Sequence, residues 1–198
     1  MQVKTAVRSN AERSEAMRAA LLAAARRLFV TNGYQHTSTP DVVQAADVTR
    51  GALYHHFADK ADLFMAVALQ AANEVAADIA AGVPAGAAPA DALLAGATAY
   101  FAAMAREGRA RLLLQDAPAV LSAQQLQQLN DAAGAAELRA GLRALLANGR
   151  RDQPLAELAD VLSAAFDRAA LAIANGAPPR KYKQAVQLLL RGLAAGSA

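Results

Sequence analysis

Residues 37–64, TSTPDVVQAADVTRGALYHHFADKADLF, have room for two short helices and little else. Thr39 suits an N-cap, Pro40 the first helical position, and Asp41 places an acid where the helix dipole favours one. The helix so opened carries Val42, Val43, Ala45 and Ala46 and runs for about two turns. Asp47 tolerates the left-handed or turn conformation of a tight bend, Val48 can point inward, and Thr49 can cap a second short helix, Arg50 to about His56. FADK is another break, with Asp59 as the cap of a longer helix. Upstream, from about Ser14 to Val30, Met17, Leu21, Leu22, Ala25, Leu28 and Phe29 share one helical face, and Gly33 is available as a left-handed cap. An amphipathic helix followed by two short helices and a tight turn describes a helix-turn-helix unit.

The remaining chain reads as helical too. Alanine supplies 56 of 198 residues. It is the best helix former, and β-branched and aromatic residues are sparse, which predicts an all-α protein. The helix from Asp59 puts Leu63, Phe64, Val67, Ala71 and Val75 on one face and stops at residues 82–86, Gly-Val-Pro-Ala-Gly. Five further segments are expected, roughly 89–107, 109–116, 122–148, 154–175 and 179–193, for about nine helices in all. Pro118 should separate the second of these from the third. Ser122 and Gln125 form a capping-box pattern, and Gly149 and Gly176 sit where C-terminal caps belong. No repeat of 20–50 residues marks a solenoid. The expected organisation is a helix-turn-helix domain over 1–60 and a helical bundle over 61–198.

Charge separates the same two regions. Residues 1–60 hold eight Lys/Arg against five Asp/Glu, together with all three histidines, whereas residues 61–198 hold twelve of each. A basic head favours a polyanionic partner, and phosphate neutralisation is the main sequence-independent source of DNA affinity. With no cysteine the chain has no disulfide framework and no Cys-ligated zinc, which fits the cytoplasm. The N-terminus has no apolar run suited to a signal peptide. The most apolar later stretch is interrupted by Gln70, Asn73, Glu74 and Asp78, so no membrane span is expected.

A helix that enters a DNA major groove must be short and braced from behind, because the groove is about 12 Å wide. Leu53 and Phe57 can anchor the second short helix inward. Thr49, Arg50, Gly51, Ala52, Tyr54 and His55 are then left near its N-terminus and outward face, and Gly51 and Ala52 permit close approach. Catalysis would need titratable pairs in a pocket, but every histidine lies in this head, and no Ser elbow, phosphate-binding loop or dinucleotide glycine pattern occurs. The chain therefore reads as a non-enzyme without cofactor. His55 and His56, about 100° apart on a helix, cannot easily share a metal ion.

The stretch LLAAARRLFVTNGYQHTSTPDVVQAADVTRGALYHHFADKADLFMAV closely resembles the DNA-binding domain of the TetR family of bacterial transcriptional regulators. Its landmarks are Leu28-Phe29, Gly33-Tyr34, Thr37-Ser38, the VVQAADVTRGALYHHF helix pair, and Lys60 followed by Leu63. The family usually has Gly where this chain has Asp47. The resemblance implies that Thr49 and Arg50 contact phosphate or base edges, with Arg50 suited to bidentate guanine reading. It further implies that Tyr54 donates to a phosphate, that His55 meets backbone or base, and that Ser38, Thr39 and Lys60 hold phosphates at helix N-termini. Arg27 and His36 are secondary phosphate candidates. RLLLQDAPAVL, residues 111–121, looks like part of the C-terminal domains of one subset of that family, which dimerise and bind small effectors.

A single recognition helix reads few base pairs, so a homodimer on a pseudo-palindromic operator is expected. Leu158, Val161, Leu162, Ala165, Ala169, Leu189 and Leu190 are the candidate interface. Tyr100, Phe101, Met104, Leu113, Gln115, Asp116 and Phe166 are candidate lining residues for a small, mostly apolar effector. The function implied is that of a ligand-responsive repressor, in which effector binding shifts the population of head arrangements. A basic-headed helical interaction module without a role in transcription is the alternative. A membrane-surface protein is disfavoured, because the long helices lack a basic polar face.

Overall fold

The computed structural model describes residues 9–147 and 154–195, and every regular element among them is helical. The helices are α1 Asn10–Asn32, α2 Thr39–Ala46, α3 Arg50–His56, α4 Lys60–Gly82, α5 Pro89–Met104, α6 Ala117–Val120, α7 Ala123–Asn130, α8 Ala136–Leu145, α9 Leu155–Ala174 and α10 Pro179–Ala195. A π-helical segment, Arg111–Asp116, leads into α6, and another, Asp131–Ala135, joins α7 to α8, so the described residues form nine helical runs. The fold is all-α, as the composition predicts. Gly149, assigned a capping role from sequence, lies outside the described residues.

The chain divides into two compact units, one ending at Val67 and the other beginning at Ala68. The division falls inside α4 and later than residue 60, because the first turns of α4 complete the core of the head. Leu63 and Phe64 are fully buried, and the Phe64 ring packs edge-on against Phe29 and Tyr34, with centroids 5.2 and 5.1 Å apart. Leu21 and Phe29 of α1, Val42 of α2, and Leu53 and Phe57 of the α3 region fill the rest of that core. Each such side chain contributes roughly 1.5–3 kcal/mol by leaving water. α1 begins earlier than its apolar period suggests, because Ser9 and Glu12 form a reciprocal capping box. Gly33 caps its C-terminus with φ 82° and ψ 166°, a glycine conformation but not the left-handed helical one, and its N–H donates to the Phe29 carbonyl.

In the second unit α5 packs against α8, α9 and α10. Small residues set these approaches: a Cβ on Gly141 would lie 2.6 Å from Leu93 Cδ2, so any larger residue there would require the Leu93 side chain to move. Arg109 is 4% exposed; its guanidinium donates to Asp78 at 2.5 Å, to Glu74 at 3.0 Å and to the Ala103 carbonyl at 3.2 Å. This network ties the segment after α5 to α4. Two sequence expectations need correcting here. Pro118 does not break the helical run but sits in the first turn of α6, while the chain leaves the helix at Leu121. The π segment before it supplies the accommodation, bonding the Ala117 N–H to the Leu112 carbonyl five residues back. The helix expected over 122–148 is bent at Gly134, whose φ of 110° no straight helix contains.

α4 is long and apolar enough to cross a membrane by length and composition alone. Its apolar residues are already used in packing, since Leu63, Phe64, Val67, Ala71, Ala72 and Val75 are all fully buried.

Candidate nucleic-acid interface and ligand cavity

Local capping chemistry shapes the head's outer surface. Ser38, rather than Thr39, is the N-cap of α2: its Oγ accepts from the Asp41 N–H at 3.3 Å, and the Asp41 carboxylate accepts from the Ser38 N–H at 3.0 Å. The Ser38 hydroxyl, which also donates to that carboxylate at 2.6 Å, and then the Ser38 N–H hold the Asp41 carboxyl below its ordinary range. Thr39 is thereby the first helical residue, with its hydroxyl 3.4 Å from that of Tyr54. Asp47 takes the left-handed conformation, φ 52° and ψ 48°, that the bend requires. Thr49 caps α3, accepting from the Ala52 N–H at 3.2 Å, and Asp59 caps α4 by accepting from the Asp62 N–H at 2.8 Å.

Because Leu53 and Phe57 face inward, the rest of α3 faces outward. Thr49, Arg50, Gly51 and His55 are exposed, and Ala52 is half-buried. Tyr54 is 43% exposed, and the Arg50 guanidinium lies 5.5 Å from its ring centroid. The Thr39 hydroxyl, then Arg50, hold the Tyr54 phenol below its usual range. The Lys60 ammonium sits 4.0 Å from the Tyr34 ring centroid, and partial burial lowers its pKa. Ser38, Thr39, Tyr54 and Lys60 line one open concavity together with Gln35, His36 and Asp59. Thr49, Arg50, Gly51, Ala52 and His55 are not part of that concavity; they form the adjoining N-terminal surface of α3. Gln35 was not expected there, since no sequence signal marks a loop residue as facing a groove. His56 is half-buried, its ring 5.2 Å from that of His55.

The second unit encloses a cavity of about 360 Å³, at the small end of the range typical of ligand sites. Tyr100, Met104, Leu113 and Phe166 line it. Phe101, Gln115 and Asp116 do not. Phe101 is 3% exposed and packs edge-on against Phe166 in the core behind the wall, with centroids 6.1 Å apart. Gln115 points to solvent, and Asp116 pairs with Arg111 at 3.8 Å. The wider π register brings Leu113 and Leu114 to the cavity instead. Sequence reasoning missed Asp167, whose Oδ1 accepts a 2.5 Å hydrogen bond from the Tyr100 hydroxyl across 67 residues of chain. Burial raises the Asp167 pKa; burial and then the Asp167 charge push the Tyr100 phenol well above its ordinary value.

Among the candidate interface residues, Leu162, Ala169 and Leu190 are each 4% exposed and belong to the core of this unit. Val161 and Leu189 are exposed, and so is Leu188, which sequence reasoning omitted. Leu158 and Ala165 are half-buried.

Residues 21–67 match the family described as bacterial regulatory proteins of the tetR family, and residues 90–197 match the tetracyclin repressor-like C-terminal domain. The HTH-type transcriptional regulator TtgR of Pseudomonas putida is 41% identical over 61 residues, which cover 31% of this chain and 29% of that protein. AcrR of Shigella flexneri is 44% identical over 57 residues, covering 29% of this chain and 26% of its own. The chain thus matches less than a third of the length of these curated relatives. A crystal structure of a transcriptional regulator from Pectobacterium atrosepticum is similar throughout: 31% identity, TM-score 0.72, and coverage of 94% of this chain and 97% of that one.

Proposed function

The chain belongs to the TetR family of bacterial regulatory proteins, and from that membership we propose that it is a cytoplasmic, ligand-responsive repressor that binds a pseudo-palindromic operator as a homodimer. The observation that carries the reading is the geometry of α3. Thr49 caps the helix, Leu53 and Phe57 hold it from behind, and Arg50, Gly51, Tyr54 and His55 are left facing outward. Arg50 would read a base, a contact worth about 1–3 kcal/mol. Ser38, Thr39, Tyr54 and Lys60, which share a concavity, would hold the phosphates beside it. A second copy would join through the exposed face of α9 and α10 at Val161, Leu188 and Leu189. The cavity in the second unit would take a small, mostly apolar effector that favours one head arrangement over another.

The test is selection of random duplex DNA against the purified full chain. An enriched inverted repeat supports the reading and supplies the operator. Retention that is salt-sensitive yet without sequence enrichment, with or without added hydrophobic ligands, would replace it with an interaction module that has a basic head.

A further inference from the structure

The lining of the cavity carries a charge preference. Among the described residues, Asp167 and Glu137 are its only ionisable carboxylates, and no Lys, Arg or His lines it. Tyr100 is the one hydrogen-bond partner that Asp167 has among the described residues, and no ion pair there involves Asp167. A carboxylate held in apolar surroundings with one neutral donor is short of compensation, and the raised Asp167 pKa expresses that cost. Two aromatic rings share the cavity with this carboxylate. Tyr100 and Phe166 both line the cavity with centroids 6.4 Å apart, and aromatic faces attract cations. The remaining wall is mostly aliphatic, from Ile79, Leu93, Leu113 and Leu138 among others.

We propose that this cavity selects an amphipathic organic cation, with a protonated nitrogen against Asp167 and the Tyr100 and Phe166 rings and an apolar body along the aliphatic wall. An anion of the same shape would meet Asp167 as a like charge. A neutral molecule would fill the volume and leave the carboxylate as it is. A cation supplies the missing partner, and charge-assisted hydrogen bonds in a desolvated site are the strong ones. The inference rests on the reading of the cavity as the effector site and narrows that reading to one ligand class.

Three probes of equal chain length separate the possibilities: n-decylamine, n-decanol and n-decanoate, titrated calorimetrically into the full chain at about pH 8, where the amine is protonated. The expected order is amine tightest, by about tenfold or more over decanoate, with decanol between them. In Asp167→Asn the amine-to-decanol affinity ratio should fall to about one. If the variant does not fold, the order in the unaltered protein still decides. Equal binding of the three probes, or an amine preference that survives Asp167→Asn, overturns the charge selection and leaves an apolar effector site. Failure of all three to bind overturns the effector reading itself.

Discussion

Replacing Gly51 with alanine should move stability and operator affinity in opposite directions. A Cβ at Gly51 would meet only Thr49 Oγ1, at 3.9 Å, an ordinary van der Waals contact. No described residue therefore requires glycine there. Glycine inside a helix costs roughly 0.5–1 kcal/mol relative to alanine. Gly51 lies in the first turn of a seven-residue helix, so the gain belongs at the lower end, about 0.5 kcal/mol, and amide hydrogen exchange across α3 should slow about twofold. If the α3 surface seats against base edges, the added methyl sits in a packed interface, where overpacking costs typically about 1–3 kcal/mol. Operator affinity should then drop by about 5- to 150-fold, measured by fluorescence anisotropy on the selected operator, while low-salt binding to unrelated duplex changes little. Slower exchange with undiminished operator affinity would refute the placement of this surface against DNA. Faster exchange would refute the account of the glycine.

Arg50→Ala should lose about 1–3 kcal/mol on the operator and relax one base position, whereas Lys60→Ala should weaken all sequences alike and lower the salt slope by about 1; repeating the anisotropy across salt concentrations separates the two. Arg109→Met leaves Glu74 and Asp78 without their buried guanidinium. Those side chains are 33% and 24% exposed and Arg106 still reaches Asp78 at 3.1 Å, so the cost should be about 2–3 kcal/mol by urea unfolding, below the 3–5 of a fully buried pair. Asp167 has a raised folded-state pKa: the folded state then binds more protons, so stability should fall as pH rises from the ordinary carboxylate range through the raised value. Asp167→Asn should remove that fall, so a melting-temperature difference that is constant with pH would contradict it. Leu188→Glu places a charge on an exposed apolar face and should give a monomer in sedimentation if that face joins two copies.

The head was legible in the sequence because its signals are local. Caps lie three residues from the amides they bind, so Thr49 and Asp59 could be assigned from spacing, and Asp47 could be recognised as a residue that tolerates the bend. The slip from Ser38 to Thr39 has the same origin, since neighbouring hydroxyl residues both satisfy a cap pattern and only the backbone geometry chooses between them. The second unit was less legible. Its alanine-rich helices are apolar on several faces, and periodicity cannot tell which face another helix covers; Leu162, Ala169 and Leu190 turned inward while Val161, Leu188 and Leu189 did not. The π segments and the bend at Gly134 depend on tertiary packing that no short window records. Asp167 meets Tyr100 across 67 residues, and a lone aspartate on an amphipathic helix ordinarily reads as solvated.

The division at Val67 falls within an unbroken helix, and this bears on how the molecule comes apart. A protease working on a two-part chain usually finds an exposed linker at the seam, but here the seam offers helical backbone with every intrahelical amide engaged. Cleavage should begin elsewhere, and a fragment ending at residue 60 would leave Phe29 and Tyr34 without the Phe64 ring that packs on them. Helix formation is cooperative along its length, so melting of the first turns of α4 loosens the turns beyond Val67 as well.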